Sequence, residues 1–173
     1  MYKKRIYWIQ NTMNIIYKKY NRKSVENDPN TMYIFGDNLD RSSGNNKIPE
    51  DSWYTEQFGK HCYPKITTAC IRGLDNAYPI TTMKAYDKDM DYRLNRWEDY
   101  DIRLFEKIID SDFERIKNNL SKYNNIVLPE KGIFDTKISN ISEKRCKKIH
   151  KYLSLKLNEL EFYIMTLEPK LWS

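Results

Sequence analysis

Glycine is scarce in this sequence, with five residues among 173. Neither a GxGxxG motif nor a Walker-type phosphate loop is present, and HExxH and GxSxG are absent as well. The chain therefore lacks the known glycine-rich loops that cradle phosphates and the common metalloprotease and hydrolase signatures.

Cysteine and histidine are also rare. Cys62, Cys70 and Cys146 are far apart and form no CxxC pair, and only His61 and His150 could assist them in binding a metal. This spacing argues against a zinc site or a disulfide framework, so we predict reduced structural cysteines, no metal and no cofactor.

Long hydrophobic runs are missing. No apolar stretch approaches the roughly 20 residues that span a bilayer, and the basic start lacks the apolar stretch and small-residue cleavage site of a signal peptide. We expect no membrane partner and a cytoplasmic location, in the host cytoplasm if the protein is viral.

Positive charge is concentrated at the start of the chain. The net charge is +6, and residues 1–25 contain seven bases and no acid. We predict a basic N-terminal segment, 1–25, followed by a single domain, 26–173. Residues 1–23 could bind nucleic acid through phosphate neutralisation and aromatic stacking, or could be a solvated segment that packs its aromatic side chains on the domain.

Short apolar runs predict the strands. The runs at 31–35 and 126–129 follow turn-forming residues, and the run at 77–82 contains Pro79, which favours an edge strand or a kinked one. The run 162–165 is predicted to be a last strand. For the N-terminal segment, apolar positions between 6 and 20 fit a helix, with a short strand over 5–9 as an alternative.

Apolar periodicity of three and four residues predicts the helices. The clearest is a long amphipathic helix over 101–120. Asn140 and Glu143 resemble a capping box for a later helix, and shorter helices are expected over 51–59 and before Gly73. The charged and aromatic stretch 84–101 is predicted to be a lid-like loop. Alternating strands and helices predict an α/β fold, a three-layer α/β/α sandwich with a mostly parallel sheet.

Polar and glycine residues follow three of the predicted strands. Ligands in such sheets bind at the carboxyl ends of the strands. Amides and cations there suit phosphates, and Asp37 could bind a base or ribose, which indicates a nucleotide-like ligand. The candidate residues are Gly36, Asp37, Asn38, Arg41 and Gly44 in the first loop, Thr81 and Thr82 with Lys84 in the second, and Lys131, Gly132 and Ser139 in the third.

Structural roles are alternatives at each of these positions. Gly36-Asp37-Asn38 could be only a turn in which the aspartate caps nearby amides, and Arg72-Gly73 could be only a helix C-terminus. Asp37 is the one acid that we nominate as a catalyst. The aromatic residues of 84–100 could instead form a protein-binding surface.

Three motifs together resemble a known family. They are Tyr33-Ile-Phe-Gly-Asp-Asn38, Ile71-Arg-Gly-Leu-Asp-Asn-Ala-Tyr-Pro-Ile-Thr81-Thr82 and Ile126-Val-Leu-Pro-Glu-Lys-Gly132. Their order resembles a macro-domain-like family of largely uncharacterised proteins, frequent in bacteriophages and giant viruses, over roughly residues 30–160. The chain departs from the family pattern where Ser42-Ser43-Gly44-Asn45-Asn46 replaces a glycine-rich run.

The resemblance implies a macro-like fold that binds an ADP-ribose-type or NAD-derived nucleotide, which some macro domains also hydrolyse. It implies that Asp37 and Asn38 lie in the cleft, with Arg72, Asn76 and Thr81 on the middle segment. Lys131 and Gly132 would lie at the phosphate side. In a virus, such a protein would counter host nucleotide signalling.

Overall fold

The computed structural model describes residues 13–39, 68–84, 96–134 and 141–167. The strands are β1 (Asn14–Lys18), β2 (Thr31–Asn38), β3 (Ala77–Met83) and β4 (Asn125–Pro129). The helices are α1 (Arg22–Glu26), α2 (Ile102–Asn119) and α3 (Lys147–Thr166), and 3-10 helices cover Thr68–Ile71, Asp99–Asp101 and Leu120–Lys122.

The four strands form one parallel sheet in the order β1-β4-β2-β3. The predicted α/β fold with a mostly parallel sheet is thereby confirmed. The strands predicted at 77–82 and 126–129 are present, and so is the long helix predicted over 101–120. Among the strands of the described residues β3 lies at an edge of the sheet, which is one of the two alternatives for Pro79 and suits a residue that cannot donate a ladder hydrogen bond.

Alternating side chains of the strands enter two separate apolar clusters. Met32 and Ile34 belong to the larger cluster, which also contains the buried faces of α2 and α3. Tyr33 and Phe35 belong to the smaller cluster, which includes Val25 of α1. Both faces of β2 are therefore covered, as expected for a parallel sheet.

The outer edge of β3 is occupied by two side chains of α2. The Thr81 N–H donates to Asp112 Oδ2 at 2.8 Å, and Arg115 Nη2 donates to the Pro79 carbonyl oxygen at 3.1 Å. Arg115 Nη2 also donates to Asp112 Oδ1 at 3.0 Å. Side chains thus take the place of a neighbouring strand at this edge, which protects the edge from pairing with another chain.

The predicted N-terminal helix is wrong over Asn14–Lys18, which forms β1 and pairs with β4 from Asn14 opposite Asn125 to Lys18 opposite Pro129. The short strand considered for 5–9 lies outside the described residues. Ile16 and Tyr17 are substantially exposed, so the side chains of β1 lack the buried face that would have marked a strand in the sequence. The basic segment therefore contributes a strand to the sheet.

The predicted last strand at 162–165 is also wrong, because α3 continues to Thr166. Leu160 and Ile164 are buried at a spacing of four residues, whereas Phe162 and Met165 are exposed. This burial pattern has the period of a helix rather than the period of two that a strand requires.

The N-terminus of α3 is capped from a distant part of the chain. The N-cap residue is Cys146, which makes no side-chain cap hydrogen bond, so the capping box predicted at Asn140 and Glu143 does not open this helix. Instead, Asp99 Oδ1 accepts from the N–H of Lys148 at 2.9 Å and from that of Ile149 at 3.4 Å. A carboxylate at this position satisfies orphan amides and complements the helix dipole.

The described end of the predicted lid-like loop, 96–101, is firmly attached to the domain. Trp97 is 1% exposed and packs edge-on against Phe105, with ring centroids 5.1 Å apart. Arg145 Nη1 donates to Glu98 Oε1 at 2.7 Å and to the Trp97 carbonyl oxygen at 2.8 Å. The prediction of a lid is wrong for this part of the loop; residues 85–95 lie outside the described residues, as does the helix predicted over 51–59.

Candidate functional site

The carboxyl ends of β2, β3 and β4 lie at the same edge of the sheet, because all strands are parallel. β2 and β4 pair only from Thr31 opposite Asn125 to Tyr33 opposite Val127. Beyond Tyr33, β2 continues to Asn38 beside β3, and β4 continues to Pro129 beside β1. The two central strands are therefore no longer paired with each other near the edge of the sheet where parallel sheets bind ligands.

Asp37 and Arg72 form a buried, bidentate ion pair at this edge. Arg72 Nε donates to Asp37 Oδ2 at 2.7 Å, and Arg72 Nη2 donates to Asp37 Oδ1. The two side chains are 1% and 4% exposed. Burial lowers the pKa of Arg72 to about 10, so its guanidinium remains charged at neutral pH. Both carboxylate oxygens of Asp37 are therefore engaged by a cation.

Arg72 is presented by the turn that follows the 3-10 helix Thr68–Ile71. Gly73 has φ = 84°, the left-handed conformation predicted for the end of this helix. Arg22 of α1 fixes the same turn from outside, since its Nη1 donates to the Arg72 carbonyl oxygen at 2.9 Å. The position of Arg72 thus depends on α1 as well as on its own turn.

Gly36, Asp37 and Asn38 are not the predicted turn but the end of β2. Gly36 pairs with Ile80 and Asp37 with Thr81, and the register shifts between Asp37 and Asn38. A Cβ atom at Gly36 would lie 2.9 Å from Thr82 Oγ1, which is closer than real contacts allow. The glycine is explained by the close approach of Thr82, whose hydroxyl donates to the Asp37 carbonyl oxygen at 3.4 Å.

Asn76 lies at the opposite end of the sheet, immediately before β3. Its Nδ2 donates to the carbonyl oxygens of Val25, Asp28 and Thr31 at 3.2, 2.9 and 3.1 Å. This amide joins the connection between α1 and β2 to the start of β3. The structure thus separates Asn76 from Asp37 and gives it a structural role.

Thr81 and Thr82 are both 1% exposed and form part of the end of β3. Asp112, which accepts from the Thr81 N–H, was missed by the sequence reasoning because it lies within an amphipathic helix. Burial raises the pKa of Asp112, opposed by its hydrogen bond with Thr81 and by the charge of Arg115. Its Oδ2 accepts from the Thr81 N–H of the edge strand, and its Oδ1 accepts from Arg115.

Lys84 follows β3 and is fixed by residues of the 96–101 segment. Its Nζ lies 2.8 Å from Asp101 Oδ2, 5.9 Å from the ring centroid of Trp97 and 5.6 Å from that of Tyr100. Aromatic faces and a carboxylate thus surround this ammonium group. Its positive charge at this edge is already matched by Asp101.

Lys131 and Gly132 lie in the turn after β4. Gly132 has φ = 74°, and its N–H donates to the Pro129 carbonyl oxygen at 2.8 Å. Lys131 is exposed. The turn therefore presents a lysine ammonium group to solvent at the carboxyl end of β4.

Three predicted site residues, Arg41, Gly44 and Ser139, lie outside the described residues. Asn38 is described as part of β2 without its side chain. Within 13–39, 68–84, 96–134 and 141–167, no group of three or more His, Cys, Asp or Glu could hold a metal ion. No helix in the same ranges is long and apolar enough to cross a bilayer.

The described cysteines have the character of core residues. Cys70 and Cys146 are buried free thiols, and burial raises the pKa of both. A thiol with a raised pKa remains protonated near neutral pH and is a poor nucleophile.

The described part of the basic segment engages the domain. Lys19 Nζ lies 3.5 Å from Glu130 Oε2, and Lys18 Nζ lies 5.3 Å from the ring centroid of Tyr33. Tyr20 packs edge-on against the same ring, at a centroid distance of 5.4 Å. The aromatic packing expected for a segment folded onto the domain is present at Tyr20.

The fold and this edge define the protein as an α/β domain with a parallel sheet and a buried aspartate–arginine pair at the carboxyl end of a central strand. Residues 15–156 match the model of a family of unknown function, DUF7831, and the chain belongs to that family. No curated protein and no solved structure matches the chain significantly.

Proposed function

We propose that this protein is a macro-like three-layer domain that binds an ADP-ribose-type or NAD-derived nucleotide at the carboxyl edge of its sheet. The observation that carries the proposal is the meeting of Asp37 and Arg72, which are 35 positions apart in sequence, at the end of β2. The resemblance of the three motifs to macro-like proteins supplies the class of ligand.

The parting of β2 and β4 supports a binding cleft between their ends. Its β4 side carries Lys131, an exposed cation suited to a phosphate group. Its β2 side carries Asp37, with a carboxylate whose two oxygens already accept from Arg72. In this arrangement the ion pair with Arg72 holds Asp37 and so fixes the end of β2. The backbone amides at the end of β2 then bind a base or ribose, while Lys131 binds the phosphates.

Calorimetric titration with ADP-ribose, NAD and AMP tests the proposal. We expect heat of binding with ADP-ribose or NAD, and a weaker affinity, by roughly three- to tenfold, for Lys131→Ala, because an exposed charge-assisted contact contributes about 1 kcal/mol. Lys107→Ala removes an exposed lysine from α2 and is the matched control. Chromatography of the same mixtures after incubation measures hydrolysis separately from binding.

Absence of heat with all three ligands, in a sample shown by circular dichroism to be folded, refutes the proposal. Equal losses for Lys131→Ala and Lys107→Ala refute the assignment of phosphates to the turn after β4. Binding to an oligonucleotide that weakens steeply with salt would favour the nucleic-acid alternative instead.

A further inference from the structure

The outward side of α3 carries a heptad pattern. Leu153, Leu160 and Ile164 are buried against the domain, and exposed residues follow one another on the opposite side at alternating steps of three and four. This outer seam consists of Lys148, Lys151, Leu155, Asn158, Phe162 and Met165. A strict alternation of these steps is the narrow contact line of a coiled coil, whereas a helix that covers a core or lies on a lipid surface has a broader apolar face. The pattern therefore favours a second helix as the occupant of this side.

The second half of the outer seam is apolar. Leu155, Phe162 and Met165 are 51%, 69% and 80% exposed, and they follow one line along the helix. Single exposed apolar residues are common on protein surfaces, but an aligned set that includes an aromatic residue is typical of an interaction surface. Apolar side chains of a partner can cover this half of the seam.

The free charge of the outer seam is positive. Its two lysines are exposed, and neither forms an ion pair with any residue that the structure describes. The acids of the second half lie beside the seam and have partners. Glu159 Oε2 lies 3.3 Å from Lys156 Nζ, and Glu161 accepts from the Tyr17 hydroxyl at 2.9 Å. The seam thus offers unpaired cations at one end and apolar side chains at the other.

A second copy of α3 does not fit this distribution. In a parallel pair each seam lysine meets its own counterpart, and like charges repel. In an antiparallel pair with full overlap the lysines lie opposite Phe162 and Met165, which leaves ammonium groups against apolar side chains. An anionic lipid surface fits poorly as well, because Glu159 and Glu161 flank the apolar half. A helix with acidic groups at one end and apolar groups at the other complements the seam.

We propose that the outer seam of α3 binds one helix of another protein, packed along it as in a two-stranded coiled coil. Apolar residues of that helix contact Leu155, Phe162 and Met165, and its acidic residues pair with the seam lysines. From the first to the last member of the seam the contact is about 26 Å long, at 1.5 Å per residue. Asn158 fixes the register, since a polar residue within such a seam needs a polar partner. This surface is independent of the nucleotide site.

Fluorescence anisotropy with two synthetic peptides of about 21 residues, or three heptads, tests the proposal. Both peptides have leucine at the seam positions of one end; at the other end the acidic peptide has glutamate and the basic peptide has lysine. Labelled peptide is kept at trace concentration while the full chain is titrated. We expect the acidic peptide to bind with a dissociation constant of roughly 10–100 μM, because one helix pair buries less area than a standard interface. The basic peptide should bind at least about fivefold more weakly.

A matched pair of variants tests the apolar half. Phe162→Ala should weaken binding of the acidic peptide at least roughly tenfold, as loss of a central aromatic contact does. Leu104→Ala changes a residue that is 50% exposed on α2 and should leave the dissociation constant unchanged. Equal effects of the two substitutions overturn the proposal.

A charge reversal tests the basic half. Lys148→Glu with Lys151→Glu should reverse the preference, so that the basic peptide binds more tightly than the acidic one. Lys23→Glu with Lys122→Glu makes the same change in net charge at exposed residues of other elements and should preserve the original preference. Circular dichroism should report intact folding for both double variants, since all four residues are exposed.

Two further results would contradict a helical partner. No saturable binding of either peptide up to about 1 mM of the chain overturns the proposal, because this range includes weak interfaces of limited area. Co-sedimentation of the chain with phosphatidylserine vesicles that is lost in Phe162→Ala, without binding of the peptides, would assign the seam to a lipid surface instead.

Discussion

The buried pair of Asp37 and Arg72 gives a sharp prediction about stability. Replacing Arg72 with methionine keeps most of the side-chain volume and leaves the Asp37 carboxylate, 1% exposed, without its cation. Removing one partner of a buried ion pair costs about 3–5 kcal/mol, because an uncompensated charge stays in the interior. For a chain of this length, 1 kcal/mol corresponds to about 2–4 °C in Tm. Arg72→Met should therefore lower Tm by roughly 6–20 °C.

Urea unfolding followed by circular dichroism measures the change in the free energy of unfolding. The double variant Asp37→Leu with Arg72→Met removes both charges and should be more stable than Arg72→Met alone, because no buried charge then remains. Arg103→Met, which removes an exposed arginine from α2, is the matched control and should change the free energy by less than about 0.5 kcal/mol. A loss below about 1 kcal/mol for Arg72→Met would refute the reasoning and would mean that water reaches the Asp37 carboxylate.

Three further predictions concern groups with structural roles. Asp99→Ala should cost about 1 kcal/mol in urea unfolding by removing the cap of α3, whereas Glu143→Ala should cost almost nothing; equal losses would contradict the distant cap. Asn76→Ala should cost roughly 2–4 kcal/mol, because the two hydrogens of its Nδ2 are shared among three carbonyl oxygens that would lose their donor. The nucleotide affinity of the folded protein should stay unchanged, so a selective loss of affinity would contradict the structural role of Asn76. The folded-state pKa of Asp112 is raised above its ordinary 3.8, so the folded state binds the proton more tightly and the unaltered protein gains stability as pH falls from neutral toward 3.8. Asp112→Asn lacks this titration, so its free energy of unfolding relative to the unaltered protein should decline over the same range. A difference that stays constant with pH would contradict the raised pKa.

Much of the fold could be predicted because its signals are local. The three- and four-residue spacing of buried positions such as Phe105, Ile109 and Ile116 predicts α2, and the apolar run that follows Asn125 in β4 predicts a strand covered on both faces. β1 and the end of α3 could not be predicted in the same way. The side chains of β1 are mostly exposed, and the run Phe162-Tyr163-Ile164-Met165 has strand-forming composition although only Ile164 is buried.

The sequence indicated which residues to consider for the candidate site but not which of them contact each other. Asp37 and Arg72 were both named from the sequence, but no spacing rule indicates that a carboxylate and a guanidinium 35 positions apart pair with each other. The separation of Asn76 from the other candidates also depends on tertiary structure, since it lies one residue before β3 whereas Thr81 lies near its other end. A motif that is continuous in sequence thus divides between two ends of one strand.

The cap that Asp99 provides has a consequence for the order of folding. Asp99 lies 49 positions before Lys148, so the first turn of α3 obtains this hydrogen bond only after the chain between them has closed a long loop. Both α2 and β4 lie within that loop. The two ends of α3 should therefore differ in hydrogen-exchange protection during refolding, with the amides of Lys148 and Ile149 becoming protected when the 96–101 segment docks rather than when the helix first forms.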